Sequence, residues 1–296
     1  MFGVALTTTA CIRSGTDVHL VWIVQADGIP HDPNDTVALT PGGGRMGELA
    51  GGALDGVLVA LHRGEHARLV DLELTPTDAL VHGLSPGANA RVAVVPGVMI
   101  PSSVWTDLAA RRPVGLSARC EGSELSDFVH HPYNNPNDLM APLFGAGQSG
   151  TETIGDRIAT LFWPMPKLAI FGAGPIADAI AATATLIGWK VVITSDADRA
   201  TGIMTDLAEI DSALVMGHDV ESSSRVLGAA LESAAGYIGS LGSHKLQDQR
   251  RDWLAYRGVT DVSRVRGPAG LEIQAATPEE IGVSVIAEAI KVHRSR

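Results

Sequence analysis

Cysteine is scarce in this chain. Cys11 and Cys120 are the two thiols in 296 residues, far apart and without C-x-x-C or zinc-finger spacing. That argues against a disulfide framework and against a cysteine-built metal site, and it fits a reducing, cytoplasmic setting. Positive charge is also short: 22 Lys and Arg stand against 33 Asp and Glu, a formal net charge of -11. Without a basic face the chain is not read as a nucleic-acid binder. A small phosphate site stays open to it, because N–H groups at a helix start hold an anion without side-chain charge. Long apolar runs are missing too. The most apolar stretch, residues 168–189, is interrupted by Gly172, Gly174, Pro175 and Asp178, which fits strand, turn and helix better than a membrane span. Residues 2–10 have no Lys or Arg before them and read as a strand rather than a secretory signal. No internal repeat is found.

What is present is a globular composition, 45% hydrophobic and 19% charged, of a length that suits two domains. The first half is β-rich and punctuated by Gly and Pro. Residues 18–24 read as a buried strand, 41–44 as a turn, 53–61 as a helix or strand, and 91–95 as a strand closed by Pro96-Gly97. Residues 130–150 carry few periodic apolar positions and read as a polar linker, with 151–162 as a helix leading out of it. No metal site is read from His130 and His131 in that segment. The resulting division is an N-terminal mixed α/β domain over 1–130, a linker with a short helix over 131–163, and a C-terminal domain over 164–296. The last of these alternates strands (168–171, 190–194, 213–216, 237–238) with helices (175–187, 222–235, 244–257), which implies a doubly wound parallel sheet of Rossmann type. Its final helix announces itself, with Thr277 as N-cap, Pro278 at the first helical position and Glu280 completing a capping box.

The segment from Leu168 to Ala177 follows the G-x-G-x-x-G/A pattern between an apolar strand and a helix. Gly172 permits the tight turn, Gly174 lets a pyrophosphate approach the backbone, and Ala177 lets the helix pack close to the sheet. Ala173 and Pro175 complete the turn. Substituting Gly172 or Gly174 by valine is therefore expected to abolish ligand binding and leave the fold mostly intact. After the next strand, Asp196 is either a ribose ligand or a turn cap, and Ser195 with Arg199 is the alternative for a 2′-phosphate. His218 and Asp219 follow the third strand as weak candidates for a cofactor-orienting or acid–base pair, against a plain turn. Gly239, Ser240, Gly242 and Ser243 follow the fourth, as an anion-binding loop or a plain glycine turn. All these segments fall at the carboxyl ends of strands, where open α/β sheets bind ligands.

These runs also resemble a known family. The Gly239–Lys245 run with Tyr237-Ile238 before it, Arg257-Gly258-Val259, Gly267-Pro268-Ala269-Gly270-Leu271-Glu272-Ile273, Thr277-Pro278-Glu279-Glu280-Ile281, Pro164-Met165-Pro166 ahead of the glycine turn, and His218-Asp219 together resemble the C-terminal domain of the XdhC/CoxI family. In the first half Gly51, Gly52, Ala53 and Asp55 resemble that family's GGC-x-E element, with Ala53 in place of cysteine and Asp55 in place of glutamate. Pro175 stands where a histidine often follows the glycine turn, and Ser195 where the family has aspartate. The resemblance implies an accessory protein of molybdenum hydroxylases such as xanthine dehydrogenase. Such a protein binds the molybdenum cofactor, as molybdopterin or its dinucleotide form, and assists its sulfuration and insertion. It further implies a hydroxylase apoenzyme and a cysteine desulfurase as partners, and a homodimer. Two other readings remain: an NAD(P)-dependent oxidoreductase using His218 or Asp219, and a non-catalytic nucleotide-binding module. The resemblance puts the cofactor-insertion chaperone, rather than a catalyst, ahead of both.

Overall fold

The computed structural model describes residues 1–58, 61–62, 64–133 and 137–295. Residues 59 and 60 of the expected 53–61 element and 134–136 of the expected linker lie outside the described residues. The chain divides into two compact units, Met1–Pro164 and Met165–Arg296.

The first unit is built on a nine-stranded antiparallel sheet. Its strands are β1 (His19–Asp27), β2 (Val37–Leu39), β3 (Arg45–Met46), β4 (Arg68–Glu73), β5 (Asn89–Pro96), β6 (Val114–Glu121), β7 (Glu124–Pro132), β8 (Gly150–Ile154) and β9 (Arg157–Phe162), in the order β3-β2-β1-β5-β4-β7-β6-β9-β8. The sheet curls, so that Trp22 of β1 meets Phe162 of β9 edge-on at 5.9 Å. Helices α1 (Phe2–Arg13) and α4 (Ser102–Ala109) seal that core with Val4, Ala5, Val104, Trp105 and Leu108. The short helices α2 (Asp55–Leu58) and α3 (Pro76–Val81) cover a second core, and α5 (Ala141–Ala146) a third around Leu143 and Phe144.

Two expectations fail here. Residues 2–10 form a helix, because Val4, Ala5 and Thr8 bury one helical face where alternation would expose half of them. The stretch 131–163, expected as a linker with a helix at 151–162, instead carries α5 and the β8–β9 hairpin. Its turn is Gly155-Asp156, with Gly155 at φ +63°, and the strands register as Ile154 opposite Arg157 and Thr151 opposite Thr160. Because β9 flanks β6, this stretch belongs to the core sheet of the first unit.

His130 and His131, expected in a loop, lie on β7. His131 is buried, with Nε2 2.9 Å from the Ser117 hydroxyl, which in turn accepts a hydrogen bond from Arg157 Nε. That leaves the hydroxyl proton for the imidazole and favours its neutral form. Burial, then the charges of Arg157 and His130, hold the His131 pKa below its ordinary 6.5. The unfolded chain therefore takes up a proton that the fold resists. This contribution to stability is complete above pH 6.5 and is lost as pH falls from there through the depressed folded value. His131→Gln is expected to flatten the fall in urea midpoint between about pH 7.5 and about pH 5.5 relative to the parent chain. Parallel pH profiles for the two would show that His131 plays no part.

The second unit is doubly wound. A five-stranded parallel sheet runs in the order β11-β10-β12-β13-β14. The strands are β10 (Lys167–Phe171), β11 (Lys190–Thr194), β12 (Ser212–Val215), β13 (Tyr237–Ser240) and β14 (Val265–Arg266). The helices are α6 (Pro175–Leu186), α7 (Ala197–Thr205), α8 (Val220–Glu232), α9 (His244–Tyr256) and α10 (Pro278–Arg294). Strand side chains alternate between two helical layers. Leu168, Ile170 and Leu214 pack with α6 and α10, while Ala169, Phe171, Ala213 and Val215 pack with α7, α8 and α9. The α6 and α10 backbones approach closely, since a Cβ on Gly282 would lie 3.0 Å from the Ala179 carbonyl oxygen. Helix α9 ends at Gly258, φ +87°, with Gly258 N–H bonded to the Ala255 carbonyl and Val259 N–H to that of Leu254. The capping box of α10 is in place. Helix α7 and strand β14 were not anticipated from the sequence.

Candidate functional site

The strand order reverses between β10 and β12, and the carboxyl ends of such strands are where doubly wound sheets take ligands. The chain leaves β10 through Gly172, whose N–H donates to the Thr194 carbonyl at 3.0 Å and whose φ is +146°. Ala173 is exposed, and Gly174 (φ +103°) opens α6 as its N-cap. A Cβ on Gly174 would meet nothing within 4 Å, so the floor of the turn is bare backbone facing open space. Pro175 has no N–H, which leaves Ile176 and Ala177 as the first helical donors.

The other helices of the unit start differently. Asp196 caps α7 by accepting from the N–H groups of Asp198 and Arg199, Asp219 caps α8 through Ser222, Ser243 caps α9 through Leu246, and Thr277 caps α10. Among the described residues no side chain caps α6. Its first donors and the positive end of its dipole are thus available to an anion held over Gly172–Gly174.

The caps bear on several sequence expectations. Asp196 was weighed as a ribose ligand or a turn cap, and Asp219 as half of an acid–base pair or part of a plain turn. Each accepts backbone hydrogen bonds at a helix start, and the bond from Ser222 holds the Asp219 carboxyl below the usual carboxylate range. Gly239 and Ser240, expected to contact a cofactor, are buried inside β13. The space a Gly239 side chain would need is filled by the Tyr237 hydroxyl and Leu214. Ser240 is bonded to Gln247 and Arg250. Ser195, His218, Gly242 and Ser243 are exposed at the strand-end edge with His244 and Lys245.

Sequence reasoning missed the residues that hold this edge together. Arg250 and Gln247, both buried on α9, bind the loops after β12 and β13. The only signal for them was the spacing Gln247, Arg250, Leu254 on one helical face, which a search for apolar residues passes over.

The motif of the first unit is a strained turn. Ala50, Gly51 and Gly52 have φ of +50°, +60° and +89° in succession. Ala50 N–H donates to Asp35, whose carboxyl is pushed up chiefly by burial and next by Asp32. Ala53 is buried, and Asp55 pairs with Arg45 at 2.5 Å. Among the described residues no group of three or more His, Cys, Asp or Glu side chains is arranged to hold a metal ion, and no helix is long and apolar enough to cross a membrane.

A parallel sheet wound on both faces, with a helix behind a glycine turn at the switch point, defines a Rossmann-type domain in a chain whose other unit is antiparallel and β-rich. Residues 168–289 match the family model described as the XdhC Rossmann domain. Over those residues, less than half of its length, the chain is similar to that family's Rossmann domain. Curated proteins similar to it include the following two. One, from Bacillus subtilis and named as a probable subunit of xanthine dehydrogenase, is 30% identical over 150 residues, 44% of each chain. The other, named molybdenum cofactor insertion chaperone PaoD, from Escherichia coli, is 30% identical over 135 residues, 44% of this chain and 41% of that one. The matches thus span less than half the length of either relative. A solved structure described as a xanthine dehydrogenase from Bacillus halodurans covers 99% of this chain and 96% of its own, at 20% identity and a TM-score of 0.46.

Proposed function

We propose that this chain is an accessory protein that takes up the molybdenum cofactor, as molybdopterin or its dinucleotide form, and assists its sulfuration and insertion into a molybdenum hydroxylase. The observation that carries this reading is the uncapped N-terminus of α6 behind a Gly174 whose side-chain direction is empty. Both forms of the cofactor carry phosphate in the tail, a terminal monoester in molybdopterin and an internal pyrophosphate in the dinucleotide, and the backbone from Gly172 to Ala177 fits such a group. When bound, the cofactor brings the redox metal that the hydroxylase uses. The chain's own part is to hold the phosphate tail by peptide N–H groups, with no hydride chemistry of its own. The names of the two similar proteins, one a cofactor insertion chaperone and the other part of a xanthine dehydrogenase, support the role. An NAD(P)-dependent reading is disfavoured, because the acid after β11 is spent on capping α7. Ala53 supplies no thiolate at the family's cysteine position, so sulfur comes from a partner such as a cysteine desulfurase. The hydroxylase apoenzyme is the second partner, and the working form is a homodimer in the cytoplasm.

Ala173→Asp separates the ligand from the fold. A carboxylate beside the first turn of α6 favours the empty helix by about 0.3–1 kcal/mol, yet it repels a bound anion. The variant is expected to melt no lower than the parent while its affinity for inorganic pyrophosphate falls about tenfold or more. Molybdenum and pterin co-purifying from cells that make the cofactor are expected to fall with it. Unchanged pyrophosphate affinity, or a parent chain that carries neither pterin nor pyrophosphate, would remove the basis of the reading.

A further inference from the structure

Arg250 is 1% exposed, yet its four hydrogen bonds all go to neutral acceptors: Ser223 Oγ, Ser240 Oγ, the Leu241 carbonyl and the Gly217 carbonyl. Among the described residues none of its bonds reaches a carboxylate. Burial lowers its pKa to about 10, which keeps it charged at neutral pH. An interior cation without a counter-charge is expensive to fold around, and such groups are usually paired.

Its surroundings connect it to the glycine turn. Gly217 and Leu241 begin the loops that leave β12 and β13, so one guanidinium fixes both loops. Gly217 lies against Phe171, where a Cβ would come within 2.6 Å of the ring, and a Cβ on Gly172 would lie 2.9 Å from Met216 Cβ. The guanidinium thus reaches the glycine turn through two intervening residues: it holds the Gly217 carbonyl, and Gly217 and its neighbour Met216 pack on Phe171 and Gly172. The exposed side of that edge carries His218, His244 and Lys245, and the uncapped start of α6 adds its dipole.

Resting on the anion-site reading above, we propose that Arg250 is the positioning residue of that site, and that its unanswered charge makes the strand-end edge select multiply charged phosphate groups over singly charged or neutral ligands. The counter-charge missing from the fold is supplied by the ligand. Coulomb energy scales with ligand charge, so a buried charge and a mere brace differ in what they predict. Removing the charge weakens pyrophosphate more than phosphate. Removing only the bracing weakens both by the same factor.

Ser223→Asp makes that distinction. It sets a carboxylate beside Nε, neutralising Arg250 in place while leaving its bonds to Gly217, Ser240 and Leu241. Calorimetric titration of the full chain with inorganic pyrophosphate and with phosphate, alongside circular dichroism of each variant, reads the result. Ser223→Asp is expected to lower pyrophosphate affinity about tenfold or more and phosphate affinity distinctly less. Arg250→Lys, which keeps the charge and loses the fork, is expected to keep the preference for pyrophosphate at reduced affinity. Arg250→Gln loses both, and where it does not fold the other two variants still decide. Equal loss for the two anions in Ser223→Asp, or affinities within about twofold of the parent chain, would overturn the assignment. If Ala173→Asp weakens pyrophosphate and Ser223→Asp does not, the anion site stands and the role of Arg250 alone falls. If the parent chain binds no pyrophosphate, both fall.

Discussion

Asp211→Ala is expected to unfold the C-terminal unit under conditions in which the parent chain is intact. Asp211 is fully buried at the amino end of the sheet. One carboxylate oxygen accepts the Lys167 N–H at 2.8 Å, and the other accepts the Ala208 N–H at 3.0 Å. Its own carbonyl accepts from Gly236 at 2.9 Å and Tyr237 at 3.4 Å. A single residue thereby aligns the first residues of β10, β12 and β13. Two bonds to a charged acceptor are worth about 1.5–3 kcal/mol each, and losing both leaves two half-buried N–H groups without partners. The expected cost is roughly 3–6 kcal/mol, a large share of the ~5–15 kcal/mol that holds a domain together. Urea unfolding followed by circular dichroism is expected to show the midpoint of this unit falling by about 1 M or more. Asp211→Asn keeps the volume but turns an amide donor toward a backbone donor, so its midpoint is expected to lie closer to alanine than to the parent. A shift below about 0.3 M for alanine would mean that the strand starts are held elsewhere.

Gly172→Val is the second large effect, and it is an effect on folding. The position holds φ at +146°, outside what a β-branched residue adopts, and the new Cβ would lie 2.9 Å from Met216 Cβ. Backbone strain of about 1–3 kcal/mol combines with overpacking of about 1–3 kcal/mol, so the variant is expected to lose roughly 2–6 kcal/mol. The expectation that valine at Gly172 and at Gly174 would act alike, sparing the fold, is therefore corrected by the packing around the turn. Gly174 carries a similar conformational demand, at φ +103° and ψ -179°, but no steric one. A melting temperature lowered by about 10 °C or more in Gly172→Val, with a clearly smaller drop in Gly174→Val, is the expected pattern. Equal melting temperatures would show that Met216 yields to the added methyls.

The C-terminal unit was legible because each of its segments carries a local signal that agrees with the tertiary answer. Thr277, Pro278 and Glu280 start a helix by their own chemistry, Gly258 ends one, and Leu168–Phe171 is apolar on both faces because both faces are covered. The misassigned stretches lacked that agreement. Thr7, Thr8 and Thr9 favour a strand locally, while packing of Val4 and Ala5 makes the segment a helix. The β8–β9 hairpin was announced only by Gly155-Asp156, a two-residue turn hidden among polar residues. Within the site, the glycine turn could be read because its backbone, with φ +146° at Gly172 and +103° at Gly174, calls for glycine. Asp196 and Asp219 could not be assigned, since an aspartate at the end of a strand serves equally as a ligand and as the cap of the next helix. Arg250 was hidden by its context, a charged residue on a polar helix whose interior position follows only from three-dimensional packing.

The order in which the C-terminal unit is synthesised has a consequence for its assembly. Leu168, Ile170 and Leu214, on the strands at the centre of the sheet, leave the ribosome well before α10, which shares their covering with α6. Until residues 278–294 have emerged, that side of the nascent sheet stays half-clothed and sticky, open to chaperones or to aggregation. Closure of the last helix is thus the event that commits the domain, and a ribosome stalled just upstream of Thr277 would hold out a platform with its glycine turn already written but no back wall to brace it.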